Sequence, residues 1–411
     1  MRTRKWSAAM AAAVAAVLML SSCTSNHTAP KAKVDAALLT PAGGKHVASG
    51  APIRIGLVND DSGAGASMPE VRTGVQAAFG YVNDYLGGIA GRPVVLDSCD
   101  SKSNSASAAA CASQMIADRV VGVLHGPETD SGTTAQTLMN AGIPVISTAP
   151  ASAQEMAGSL SFSFSGGAFA FAAALGQWMA QQHYHSSTLF AEDAPGGMSL
   201  YQMSANFLRK LGINTTVITV APGTADVTPQ MTSALSHHPD AVWMLGDAGL
   251  CLSFMRAYRA SGSTAQVGLI GQCTGSQVTD VVSLSGAVGP AYANPLGDNT
   301  EARLYRGVLD AYAPGTDPNG LAYLGYTMAL GTIRAVHTVT GEVTPAAVAA
   351  AMRAAKGVPL PIADDVTFAC DGKQIPPFPA PCSDTVFIAR LDAGGNPTTI
   401  AKLHAANLMG G

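Results

Sequence analysis

Short β-prone runs alternate with helical stretches from Ile53 onward, and the alternation is run through twice. In the first half, Ile53–Val58, Pro93–Leu96, Val120–Leu124 and Ile143–Ile146 read as strands. Between them, Glu70–Leu86, Ala106–Asp118 and Ser131–Ala141 carry apolar residues at helical spacing. The second half restarts with helices over Gly167–Gln182, Ser199–Leu211, Thr228–Leu235 and Cys251–Ser261. Its strands are Ser187–Phe190, Val217–Val220, Ala241–Leu245 and Val267–Ile270. Repeated βα units with short links imply parallel sheets covered by helices on both faces. Two such series predict an α/β chain with two doubly wound, Rossmann-like lobes. Ligands of such sheets sit beyond the carboxyl ends of the strands, so the loops after each strand are the candidates for function.

The N-terminus predicts export. Arg2, Arg4 and Lys5 precede an apolar run from Ala8 to Leu20, shorter than a comfortable bilayer span and placed where a secretory signal belongs. It ends in Leu20-Ser21-Ser22-Cys23, which resembles a bacterial lipobox, so Cys23 is the expected lipidated residue and 1–22 the signal peptide. Two or more acyl chains on that cysteine suffice for stable membrane anchoring. Residues 23–50 are rich in small and polar residues without periodicity and read as a flexible tether. Later apolar runs are broken by Gly, Pro or charge before they reach membrane-spanning length.

The remaining chain is long enough for two separate cores. The full sequence has a net charge of −4 and no basic block, which argues against a nucleic-acid partner. Apart from Cys23, the cysteines fall into three close sequential pairs: Cys99 and Cys111, Cys251 and Cys273, Cys370 and Cys382. In an exported chain these are expected as three disulfides, one choice among the connectivities that six cysteines allow. No pair has CxxC spacing and no histidine follows at ligand distance, so no metal site is expected.

Enzyme motifs are missing: the sequence has no Gly-x-Ser-x-Gly elbow, P-loop or His-Glu-x-x-His. Gly63-x-Gly65 follows a strand but lacks the third glycine of a dinucleotide fingerprint, and no cofactor is expected. His183–His185 and His237–His238 fall at helix-to-strand connections, away from the cleft side. Asp60-Asp61 lies on the cleft side, as a solvated turn or as a partner for a cationic ligand. Trp178 and Trp243 read as core, and Tyr326 as packing.

The order of several short motifs carries a family resemblance. Ile55-Gly56-Leu57-Val58 is followed by a Ser62-Gly63 loop, then Tyr81-Val82-Asn83, Gly87-Gly88-Ile89 and Gly91-Arg92-Pro93. Val123-Leu124-His125-Gly126-Pro127 and Gly142-Ile143-Pro144-Val145-Ile146-Ser147 come next, then Glu192-Asp193-Ala194-Pro195-Gly196, Pro239-Asp240-Ala241-Val242 and Leu324-Gly325-Tyr326. From Pro52 to Ile400 this resembles the type I solute-binding proteins of the leucine/isoleucine/valine-binding family, which feed ABC importers. The resemblance implies two lobes joined by three crossovers, 51–166 with 293–355 and 167–292 with 356–405. Glu301–Tyr312 and Leu321–Val339 are then the returning helices.

It also implies a non-enzymatic, extracytoplasmic, monomeric protein that closes on a small polar or amino-acid-like solute and hands it to permease subunits. A ligand-sensing ectodomain of the same fold is the alternative, and an extracytoplasmic hydrolase the alternative of another class. The ligand head group would meet Thr129 and Ser131, with backbone groups of Ala149 and Ala151. Ser131 is then an anion donor at a helix start, or simply a cap worth about 1 kcal/mol. Closure would bring up Pro195, Asp247 and Gln272, with Tyr292 at a hinge crossover and Ser62 and Ser67 in the first loop. Three departures stand out. Pro195 replaces a common tyrosine, Gln272 replaces the acid expected to pair with an α-ammonium, and the first loop offers Ser67 and Met68 for an aromatic wall. A buried ammonium without a carboxylate is costly, so Asp247 or Glu128 either substitutes or remains a solvated loop charge.

Overall fold

Ile53–Asn59 forms the first strand, β1, buried along its length except at Arg54. Such a strand needs apolar residues on both faces, as a central parallel strand covered on two sides does. The computed structural model describes residues 36–63, 67–193, 197–221, 223–291, 293–363 and 365–405. The signal segment 1–22, residues 23–35 of the tether with Cys23, Pro195 and Tyr292 lie outside the described residues.

β1 is joined in the first sheet by β2 (Val94–Asp100), β3 (Val123–His125), β4 (Val145–Ser147) and β5 (Ser161–Ser163). All pair in parallel, in the order β2-β1-β3-β4-β5. The second sheet takes β6 (Ser186–Glu192), β7 (Asn214–Val220), β8 (Ala241–Leu245), β9 (Gln266–Leu269) and β10 (Val288–Ala291) in parallel. A short hairpin of β11 (Val358–Pro359) and β12 (Thr367–Phe368) stands apart. β13 (Thr385–Leu391) and β14 (Pro397–His404) then add to the second sheet as an antiparallel edge.

Each sheet has its own core. The first gathers Leu57, Val75, Phe164, Tyr305 and Tyr326 among others, and includes the helices Thr300–Tyr312 and Ala322–Val336. These are the two returning helices the sequence predicts. The second lobe buries Phe190, Phe254 and Leu269 on one face of its sheet and Trp178, Leu189 and Trp243 on the other.

The last passage between lobes falls later than residue 356. Leu360, Ile362, Phe368, Cys370 and Cys382 pack into the first core. Cys382 N–H donates to the Ser163 carbonyl at 2.7 Å and Ser163 N–H to that of Ala380 at 3.0 Å, extending the edge of the first sheet. Only from Thr385 does the chain join the second sheet. The sequence placed the crossover at the end of helix Pro345–Ala354, since the loop that follows has no periodic pattern to reveal its side.

The three expected pairs are bonded as disulfides: Cys99–Cys111, Cys251–Cys273 and Cys370–Cys382. Among the described residues no helix is long and apolar enough to cross a membrane.

Candidate functional site

The carboxyl ends of β3 and β4 and the loops after them face the second lobe, and a cavity of about 290 Å³ lies between. Its walls are mostly carbon. Met68, Leu324 and Met328 come from the first lobe, and Phe171, Leu189 and Trp243 from the second. Helix Gly167–Gln181 supplies Phe171 and Leu175 from one face, so the space runs from the cleft toward the second lobe's core. Trp243 projects from β8 across Gly268 of β9. A Cβ at Gly268 would lie 1.6 Å from indole Cε3, so only glycine leaves room for the ring. Trp178 meets it edge to face at 6.2 Å. The indole nitrogen of Trp243 is buried and has no hydrogen-bond partner among the described residues.

Charge is kept behind the wall. His125, at the end of β3, is the one lining residue with an ionisable side chain other than tyrosine among those described. Its Nδ1 lies 2.8 Å from Glu155 Oε1, and its Nε2 3.5 Å from Glu128 Oε2. Burial opposes the imidazolium, but attraction to Glu155, the hydrogen bond with it and the nearby Glu128 carboxylate outweigh it and raise its pKa to about 10. Burial likewise works against ionised Glu155, yet His125, Ala151 and Ser152 hold its carboxyl below the usual range. Glu155 also closes a capping box with Ser152 at the start of helix Ala153–Ala157. Glu128 accepts a short hydrogen bond from Thr134 Oγ1.

The sequence-derived candidates are placed differently from one another. Ala149 and Ala151 line the cavity. The backbone N–H of Ala151, however, donates to Glu155 Oε2 at 2.9 Å. Thr129 donates from both N–H (3.0 Å) and hydroxyl (2.9 Å) to Asp60 Oδ2. Asp60 is only 4% exposed and is therefore not a solvated turn residue; its other oxygen accepts from Ser101 and Ser103. Ser131 is buried as the first residue of helix Ser131–Asn140, and Asp130, not Ser131, holds the cap position. Ser62 is tied to Asp100 through backbone and hydroxyl. Ser67 and Asp247 border an adjoining polar hollow of about 790 Å³, and both that hollow and the cavity touch Met68 and Leu321. Asp247 caps helix Ala248–Ser261 by accepting from Leu250 N–H at 2.7 Å, while its own N–H donates to Glu192 at 3.0 Å. Glu128 is buried beside His125 and Thr134, so it is not a solvated loop charge. Gln272 lies in the 3-10 turn Gly271–Thr274 that Cys273 ties to helix Ala248–Ser261.

His125, Glu155 and Trp243 were not sequence candidates. His125 ends a strand on the cleft side, and Ser152-x-x-Glu155 is a visible capping signature, so both left a signal. Trp243 left none, because an apolar strand residue reads equally as core. Tyr201 also lines the cavity, with burial and nearby Glu192 raising the pKa of its phenol, so it stays a donor at neutral pH. Among the described residues no group of three or more His, Cys, Asp or Glu side chains is arranged to hold a metal ion.

Two α/β lobes, each built on a parallel sheet, with a cavity between their strand ends define a two-lobed binding protein of type I architecture. A family model for periplasmic binding proteins matches residues 52–396, and the chain belongs to that family. Among curated proteins none matches the chain. A possible leucine/isoleucine/valine-binding protein from Rhodopirellula baltica is similar in fold: 16% identity, TM-score 0.72, covering 90% of this chain and all (100%) of that one. The branched-chain amino acid transporter substrate-binding protein from Streptococcus pneumoniae, solved with isoleucine, shares 14% identity at TM-score 0.70, covering 86% of this chain and 100% of its own. A fatty acid ABC transporter substrate-binding protein from Thermomonospora curvata also shares 14% at TM-score 0.70, covering 89% and 95%.

Proposed function

We propose that the chain is the extracytoplasmic binding component of an ABC importer, held at the membrane through lipidated Cys23 and acting as a monomer without catalysis. The observation that carries this reading is a cavity walled by both lobes, which ligand can bury only if the lobes come together. Closure of this kind is a shift in population driven by tighter binding to the closed form. The closed surface is then what permease subunits recognise. Related folds named for branched-chain amino acid and fatty acid transport support the role, and they differ from one another in cargo. Ala149 and Ala151 form part of the wall, and Asp247 and Gln272 sit on the second-lobe side that closure moves.

The test is small-angle scattering of the Cys23→Ser chain with and without ligand extracted from its native cell envelope. A fall in radius of gyration on binding, together with loss of uptake on deleting the gene, is the expected result. Binding without closure would sink the import reading. For the anchor, Cys23→Ser is expected to move the protein from the membrane fraction to the soluble one, and no shift would remove the lipidation assignment.

A further inference from the structure

We infer that the cavity takes an uncharged, mostly apolar molecule, because Asp60 and Glu155, the chain's own carboxylates, occupy donors that would otherwise hold a ligand carboxylate. This rests on the reading of the interlobe cavity as the ligand site.

Two of the expected head-group donors, Thr129 and the Ala151 N–H, are already taken by the chain's own carboxylates. Asp60 takes four donors: Ser101 Oγ at 2.6 Å, Ser103 N–H at 2.8 Å, and the Thr129 N–H and hydroxyl at 3.0 and 2.9 Å. Glu155 takes four more: His125 Nδ1 at 2.8 Å, then Ala151 N–H, Ser152 N–H and Ser152 Oγ at 2.9, 3.1 and 2.9 Å. A ligand carboxylate at the same loops would have to displace an internal one. Its own field would also be unfavourable. Glu128 and Glu155 already flank the one histidine of the described wall, and the donors that hold Asp60 are all neutral, so a ligand carboxylate would come up beside acidic side chains with no cation of its own. In a dry site an uncompensated like charge is expensive. No counter-ion offsets this. Among the described lining residues there is no Lys or Arg, and the undescribed positions between 36 and 405 hold none in the sequence.

A cationic ligand would find no carboxylate on the described wall to pair with, because Glu128 stands beside His125 and not on the lining. Asp60 and Glu155 are already saturated by their donors. Beside His125, which Glu128 and Glu155 flank, the described wall offers apolar surface and neutral donors, among them the Tyr201 hydroxyl and the buried, unpartnered indole N–H of Trp243. A buried donor left unmet costs free energy that one ligand hydroxyl or carbonyl oxygen would recover. Size follows by comparison: an apolar cavity of ~150 Å³ accepts benzene, so about 290 Å³ suits roughly twice as many non-hydrogen atoms.

The test uses the full Cys23→Ser chain, freed of carried ligand, against 4-phenylbutan-1-ol, 4-phenylbutanoate, 4-phenylbutan-1-amine and leucine. The skeleton is constant across the first three, so only charge varies. The alcohol is expected to bind at least tenfold more tightly than the other three and to raise the melting temperature. Ala172→Phe, which places a ring into the second-lobe wall, is expected to weaken the alcohol at least tenfold. Equal or tighter binding of the carboxylate, the amine or leucine overturns the inference, as does silence from all four. Tight leucine binding with closure would overturn the ligand class alone and leave the import reading intact. Alcohol binding without closure would do the reverse.

Discussion

The imidazole Nδ1 of His125 lies 2.8 Å from Glu155 Oε1, and both side chains are almost wholly removed from solvent. The folded pKa of His125, about 10, stands above its ordinary value of 6.5. The stability it adds is therefore complete below pH 6.5 and is lost as pH rises toward 10. Glu155, held below its ordinary value of 4.5, contributes in the opposite sense: its share is complete above pH 4.5 and lost as pH falls. The pair is thus most stabilising between those two values. One proton taken up on folding gives a slope of about 1.4 kcal/mol per pH unit. Urea unfolding of wild type between pH 7 and 9 is expected to lose stability more steeply than the neutral double variant His125→Gln with Glu155→Gln, by up to that slope. Parallel pH profiles would show that the pair is not ionised.

Two glycines let the helices Pro69–Tyr85 and Ala322–Val336 touch backbone to backbone. A Cβ at Gly325 would lie 1.8 Å from the Val71 carbonyl oxygen, and one at Gly74 would lie 1.9 Å from that of Ala322. Gly325→Ala adds up to about 1 kcal/mol of helix propensity, but overpacking against rigid backbone costs about 1–3 kcal/mol. The clash is expected to win, lowering stability to urea and weakening ligand binding through Leu324 and Met328 on the same helix. A stabilised Gly325→Ala would mean the helices part at little cost.

Much of this architecture was legible because it rests on local periodicity. Ile53–Val58 and Ala241–Leu245 are continuous apolar runs, and Val71, Val75, Phe79 and Val82 repeat at helical spacing, so strands and helices declare themselves. The cysteine pairs were legible because each closes a short loop. The site was less so. Thr129 reads as a ligand donor from its place after β3, but its partner Asp60 is 69 residues away in sequence and meets it only once β1 and β3 pair. The last crossover was misplaced for a similar reason, since residues 356–382 have little regular structure and their side is set by long-range packing.

The Cys251–Cys273 bridge spans 22 residues and fastens the turn that holds Gln272 to the helix capped by Asp247. Closing a loop of that length stabilises by about 3 kcal/mol in the chain-entropy view. Cys251→Ala with Cys273→Ala is expected to lower unfolding free energy in urea by about that amount. Ligand affinity should fall as well, since Ile270 beside the turn lines the cavity. Unchanged affinity in the double variant would detach the turn from binding.

Trp243 stands where the packing of the second lobe meets the cavity. Its ring is seated over Gly268, with Cε3 1.6 Å from where a Cβ would stand, and its other surroundings include Trp178 and the cavity. Gly268→Ala must push the ring off β9. The nearest space large enough to receive it is the cavity, because the remaining neighbours are packed core. The variant is therefore expected to lose about 1–3 kcal/mol of stability through overpacking and at least tenfold in affinity through occlusion. Tryptophan emission reads both effects. In wild type, an uncharged ligand should shift the emission, and Trp243→Phe should remove most of that response while Trp178→Phe keeps it. A response that follows Trp178 would place the ligand away from β8, and a Gly268→Ala chain of normal affinity would show that the ring moves elsewhere.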